Sequence, residues 1–218
     1  MIFVFVLMPV VAMAFSAGPP NGLTGAPGEN NCTQCHNSFD LNSGNGSFTI
    51  NGPSTFVAGE THTITVELSD PDQARWGFEF TPLTNGTITI TDPANTQLDV
   101  SGNSYVKHTS TGTFPGTPDG PVTWSFDWTA PADPPDSVVF YAAGNAANNN
   151  SSTSGDYIYT TSMVAHRVIS GIDDLPGNMP SHISLGNYPN PFNASTNISY
   201  NLPVSGNVTL NVYSLTGA

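Results

Sequence analysis

The stretch Val122-Thr123-Trp124-Ser125-Phe126-Asp127-Trp128 constrains the fold more than any other, because it alternates apolar and polar residues without a break. Successive side chains of a strand point to opposite faces, so Val122, Trp124, Phe126 and Trp128 share one face. A face this aromatic needs a second sheet over it. The same period recurs at Arg75-Trp76-Gly77-Phe78-Glu79-Phe80-Thr81, which puts Trp76, Phe78 and Phe80 together. Asn85-Gly86 is a hairpin-turn signal, and Thr87-Ile88-Thr89-Ile90-Thr91 alternates after it. Further strand patterns lie at Ser47-Phe48-Thr49-Ile50, at 61–68, at 137–143, which is less periodic as suits a central strand, and at 156–169. About seven to nine short strands at this spacing predict an all-β chain folded as an antiparallel, immunoglobulin-like β-sandwich. No segment carries helical periodicity.

Composition narrows the function. Three Lys and Arg against 16 Asp and Glu give a net charge of −13 in 218 residues. Such a chain has no basic patch, which excludes nucleic-acid binding through phosphates. An anionic membrane surface would repel it. The 38% apolar content is too high for wholesale disorder.

Residues 2–15, IFVFVLMPVVAMAF, are uncharged, too short for a comfortable membrane span, and interrupted by Pro9. Ala12-Met13-Ala14 fits a signal-peptide cleavage site, and Ser16 offers a second one. A leader over 1–17 is expected, with no membrane span after its removal.

Cys32-Thr33-Gln34-Cys35-His36 is a C-x-x-C-H motif, the attachment signature of c-type haem. Thiols at this spacing reach the two vinyl groups of one porphyrin, and His36 is then directed at the iron as proximal ligand. One covalent haem c is the expected cofactor. A Cys32–Cys35 disulfide is an alternative in an oxidising compartment. A zinc site would need further ligands, and there is no second cysteine pair. The Gly, Pro and Asn residues around the motif read as an exposed loop over about 24–45, packed at one end of the sandwich.

For the sixth iron position the order of expectation is His108, then His62; for either, an ordinary core or surface histidine is the simpler reading. His166, His182 and an open site also remain. Lys107 and Arg75 are candidate partners for haem propionates. The aromatic strands are read mainly as core. Gly144-Asn145 and Asp156, flanking a long polar loop, form a weaker candidate for holding a metal ion.

Residues 171–183 read as a linker, and 184–218 as a small, partial second β unit with strand patterns at 196–202 and 207–213. So few strands cannot bury a core, so the unit is expected to be incomplete or to need a partner.

These residues resemble known families. Thr24-Gly25-Ala26-Pro27-Gly28-Glu29 with the C-x-x-C-H motif, Arg75-Trp76-Gly77-Phe78-Glu79, Lys107-His108-Thr109, residues 124–131, residues 140–147 and Gly155-Asp156-Tyr157-Ile158-Tyr159-Thr160 resemble the bacterial choice-of-anchor V domain, a Reeler-like β domain, over 18–170. Leu185-Gly186-Asn187-Tyr188-Pro189-Asn190-Pro191-Phe192-Asn193 resembles the start of a C-terminal sorting domain of the type IX secretion system. The resemblance implies delivery to the cell surface or the medium by that machinery.

The expectation is an exported monohaem cytochrome-like protein that transfers electrons to a redox partner or by self-association. The alternative is a structural or adhesive surface protein in which the C-x-x-C-H loop is a staple. Enzymatic activity is the third reading, since neither G-x-S-x-G nor H-E-x-x-H occurs.

Overall fold

The computed structural model describes residues 15–168, 183–204 and 206–213. The chain divides into two units, 1–168 and 169–218. Most of the expected leader and linker, with His182, lies outside the described residues.

The first unit is a β-sandwich. Its strands are β1 (Ser47–Asn51), β2 (Thr55–Phe56), β3 (Thr61–Ser69), β4 (Arg75–Thr81), β5 (Thr87–Thr89), β6 (Thr96–Ser101), β7 (Asn103–His108), β8 (Val122–Thr129), β9 (Ser137–Ala147) and β10 (Tyr157–Arg167). One sheet runs β1-β3-β8-β5 and the other β2-β10-β9-β4-β7-β6. The pairings are antiparallel apart from the short β10–β2 contact.

The alternating residues of β8 and β4 meet as their period requires. Phe78 lies 4.5 Å from Trp124 between ring centroids, and Phe80 lies 4.8 Å from Phe126. Trp128 meets Phe140 of β9 edge-on at 5.0 Å. Ile64, Val66 and Leu68 of β3 complete this wall, all fully buried. Each large side chain so buried contributes about 1.5–3 kcal/mol. Trp124 also satisfies its indole N–H by donating to the Gly112 carbonyl at 2.8 Å.

Asn85-Gly86 does not close a hairpin. β4 belongs to the six-stranded sheet, while β5 pairs with β8 in the other. The turn carries the chain between sheets, and Asn85 offers its carbonyl to the Trp128 indole N–H at 2.7 Å. Gly86 has φ +96°, and a Cβ there would meet Trp128 Nε1 at 2.4 Å, so only glycine fits. The β6–β7 hairpin was not legible as strands, because β6 is exposed along most of its length and carries no clear alternation.

The N-terminal segment does not sit at one end of the sandwich. It lies across the outer face of the six-stranded sheet. Cys32 packs with Ala143 of β9 and Ile158 of β10, residues that point away from the main core. Asn42 N–H donates to the Ile158 carbonyl at 2.9 Å, and the Gln97 amide donates to the Ala17 carbonyl at 2.5 Å.

In the second unit, β11 (Ser184–Asn193) pairs antiparallel with β12 (Ser195–Asn201). The strand expected at 207–213 is absent, and strand structure runs instead through the Pro-rich 184–193. The hairpin exposes Tyr188 at 83%, as two strands alone offer nothing to cover it.

Replacing Trp124 by Ala should lower unfolding stability by about 3–5 kcal/mol in urea titrations. The exposed Thr49→Ala should stay within about 0.5 kcal/mol. Similar losses from both would refute the assignment of Trp124 to the core.

Candidate functional site

The C-x-x-C-H motif forms a short 3₁₀ turn, Cys32–Gln34. Asn31 caps it by accepting from the Thr33 N–H at 2.9 Å. The N–H groups of Cys35 and His36 both donate to the Cys32 carbonyl, at 3.2 and 3.0 Å. Both cysteines are free thiols.

The turn is held on the sheet by polar contacts to β4 and β7. Glu79 of β4 accepts from the Leu23 N–H at 2.6 Å. Lys107 of β7 donates to the Pro19 carbonyl at 2.9 Å and lies 3.4 Å from Asp99. Glu29 accepts from the Thr24 hydroxyl at 2.5 Å and from the Tyr105 hydroxyl at 2.6 Å. Glu79 is the surprising member. In the β4 alternation it stands opposite Trp76, Phe78 and Phe80 and should face water, yet the covering segment buries it completely. Burial raises its carboxyl pKa to about 7, against the opposing influence of the Leu23 N–H and Lys107. One of its oxygens, Oε1, is buried without a partner.

Beside the turn lies a cavity of about 310 Å³, lined by Cys32, Cys35, His36, Arg75 and His108 among others. Leu23, Trp76 and Phe78 supply apolar wall. Three chain segments far apart in sequence therefore bring the motif, one cation and a second histidine to a single space.

His36 is oriented from behind. Its Nδ1 lies 2.6 Å from Oδ2 of Asp156, whose side chain is fully buried. A carboxylate only accepts, so Nδ1 carries the proton and donates. Nε2 is then unprotonated, and the Asn145 side-chain amide lies over the ring, 3.3 Å from Nδ1 and 3.4 Å from Nε2. Asp156 is itself held by the Asn148 N–H at 3.3 Å.

His108 is buried at the opposite end of β7. Its Nδ1 accepts from the Phe78 N–H at 3.0 Å, and its Nε2 donates to the Phe15 carbonyl at 3.3 Å. The Phe78 carbonyl lies 3.2 Å from the same Nδ1. With the proton moved to Nδ1, that carbonyl can accept it, leaving the Nε2 lone pair free. Burial pushes the His108 pKa below its ordinary value and keeps the ring neutral. Gly77 makes room for the ring, since a Cβ there would meet His108 Cε1 at 2.9 Å.

The other site expectations fall elsewhere. His62 is on β3, outside the cavity lining, with Nε2 3.1 Å from Glu60 and its ring stacked near Trp128. Lys107 is also outside the lining and engaged with the N-terminal segment. Arg75 is on the cavity wall. His166 is exposed on β10. Asn145 and Asp156 meet at His36, where sequence reading placed a weak metal site of their own. Among the described residues, no three His, Cys, Asp or Glu side chains are grouped to hold a metal ion. Nor is any described helix long and apolar enough to cross a membrane.

No family model matches the chain, and no curated protein matches it in sequence. Several solved structures align with part of the chain. The reeler domain of human F-spondin aligns over 59% of this chain and 95% of its own, at 15% identity and TM-score 0.39. The major pilin SpaD of Corynebacterium diphtheriae aligns over 56% of this chain at 10% identity and TM-score 0.40. The aligned part is 34% of that pilin. The Actinomyces fimbrial adhesin FimA aligns over 65% of this chain and 58% of its own, at 12% identity and TM-score 0.34.

Glu79 generates a pH prediction. Its folded pKa of about 7 exceeds the ordinary 4.5, so between those values the folded state binds more protons than the unfolded state. Stability should therefore fall as pH rises from about 4.5 to 7 and level off above, by on the order of 3 kcal/mol. Glu79→Gln should flatten that part of a urea-midpoint profile. An unchanged slope in the variant would assign the effect elsewhere.

Proposed function

We propose that this chain is an exported surface or extracellular β-sandwich protein that carries one covalent c-type haem on Cys32 and Cys35 and transfers single electrons. The observation that carries the reading is the common cavity of Cys32, Cys35, His36 and His108. Bound haem supplies a one-electron iron couple that no side chain here provides. The residues present fit such a group. Both thiols are free, His36 is fixed through Nδ1 by a buried carboxylate, and His108 is a buried neutral imidazole with its Nε2 toward the N-terminal segment. Arg75, on the cavity wall, is the candidate partner for a propionate, whereas Lys107 is occupied by Pro19 and Asp99.

Cys32 also constrains the order of assembly. Burial, aided by the nearby Glu79 charge, pushes its thiol pKa up to about 12. The docked thiol is thus a poor nucleophile. Attachment belongs before the loop closes on the sheet. Phe15, whose carbonyl faces His108 Nε2, falls within the leader expected over 1–17, so its removal would release that nitrogen. Delivery would use type IX-like sorting through the segment beginning at Leu185, and the electron partner would be a second redox protein or another copy of this chain.

A second reading is a structural or adhesive surface domain. It is favoured by the way Glu29, Glu79 and Lys107 hold the N-terminal segment down with protein contacts alone. The C-x-x-C-H turn would then serve as packing.

Expression of the full chain with c-type haem assembly machinery decides between them. The haem reading expects sharp reduced-state visible bands and the mass of one haem, both lost in Cys32→Ala/Cys35→Ala. His108→Ala should remove low-spin character, while His62→Ala should leave the spectrum unchanged. A colourless, folded and exported wild-type protein would favour the structural reading.

A further inference from the structure

The carboxylate of Asp156 stands at a place that the electron-transfer reading does not by itself require. Its side chain has no solvent exposure, its Oδ2 is 2.6 Å from His36 Nδ1, and its Oδ1 accepts from the Asn148 N–H at 3.3 Å. The two residues are 120 apart in sequence, and the polar loop before β10 brings them together. Resting on the haem reading above, we infer that Asp156 is a positioning residue that fixes the His36 tautomer and biases bound iron toward its ferric state.

The argument has two parts. A buried anion accepting from Nδ1–H holds the ring with Nε2 unprotonated and makes that nitrogen a stronger donor to a metal. A negative charge kept from water also stabilises the more positive oxidation state of a nearby metal, because little solvent screens it. Both act in the same direction. Arg75, on the wall of the same cavity, opposes them, so replacing Asp156 alone isolates its share. Asn145 has a separate part. Its amide nitrogen is 3.3 Å from His36 Nδ1 and 3.4 Å from Nε2, so it lies over the ring and leaves the in-plane Nε2 lone pair open.

The test has two readouts. In the full chain made without haem machinery, nitrogen-15 correlation spectra of the His36 ring should report the Nδ1–H tautomer in wild type. The Nε2–H tautomer in wild type would overturn the inference outright. In the haem-loaded chain, Asp156→Asn should shift the midpoint potential to a more positive value in an equilibrium redox titration. Asp156→Glu should restore part of the wild-type value, and the exposed Thr49→Ala, outside the cavity, should leave the potential close to wild type. An unchanged or more negative potential in Asp156→Asn would overturn the ferric bias. Should the wild-type chain take up no haem, the proposed function fails, while the tautomer measurement still judges the Asp156–His36 pairing. Should Asp156→Asn fold poorly, the wild-type tautomer and the Asp156→Glu potential decide.

Discussion

The site depends on a third layer. A β-sandwich needs only its two sheets to bury Trp124, Phe126, Phe78 and Phe80, but here the six-stranded sheet is also covered on its outer face. That cover makes Glu79 a buried carboxylate, makes Cys32 a buried thiol and gives the cavity its wall. The layer has little apolar area of its own, so it is held by polar contacts that water no longer contests. Glu79 to Leu23, Lys107 to Pro19, and Glu29 to Thr24 and Tyr105 are the pins. Hydrogen bonds to charged groups are each worth about 1.5–3 kcal/mol, roughly twice a neutral one. A few such pins suffice to dock a short segment whose regular structure is one 3₁₀ turn and one isolated bridge.

The cover also explains why the motif is rigid before anything binds to it. A C-x-x-C-H run in a free loop would leave His36 to sample many orientations. Here the Asn31 cap fixes the turn, Cys32 is wedged against Ala143 and Ile158, and Asp156 holds the ring. Binding then loses little further freedom, which is the physical content of preorganisation. His108 Nε2 meets the Phe15 carbonyl, a group that can be displaced without breaking a strand pairing.

The sandwich was legible because burial on one face imposes period two, and β3, β4 and β8 keep it without exception on their core side. The C-x-x-C-H motif stands out because its spacing is local, but its flanks read as an exposed loop, whereas it forms a 3₁₀ turn with Cys32 buried. The rest is long-range. Nothing near Asp156 in sequence points to His36, and Glu79 follows the pattern of a solvent-facing residue until the N-terminal segment is laid over it. The β6–β7 hairpin that carries His108 has one exposed strand and so lacks alternation, although Tyr105-Val106-Lys107-His108 stands out in the sequence as holding a candidate histidine. Asn85-Gly86 misled in the opposite sense: the turn chemistry is real, but the tie between the Asn85 carbonyl and Trp128 sends the chain across to the other sheet. The second unit shows the limit of alternation where no core exists to reward it, since strand structure there passes through Pro189 and Pro191 while 207–213 stays irregular.

Charge then bears on how an electron would leave such a site. Of the three cationic side chains, Lys107 is buried against Pro19 and Asp99, Arg75 lies on the cavity wall, and Arg167 donates to the Pro134 carbonyl at the end of β10. These three against 16 Asp and Glu leave the whole chain at a net charge of −13. Two copies approaching cavity to cavity would bring like-charged faces together, and that repulsion fades only when ions screen it within about 8 Å at physiological ionic strength. A basic partner meets no such barrier and would be steered inward by the same field. If the proposed electron transfer holds, a net charge of −13 would favour a basic partner at low salt, and self-association would be the case that gains from added salt.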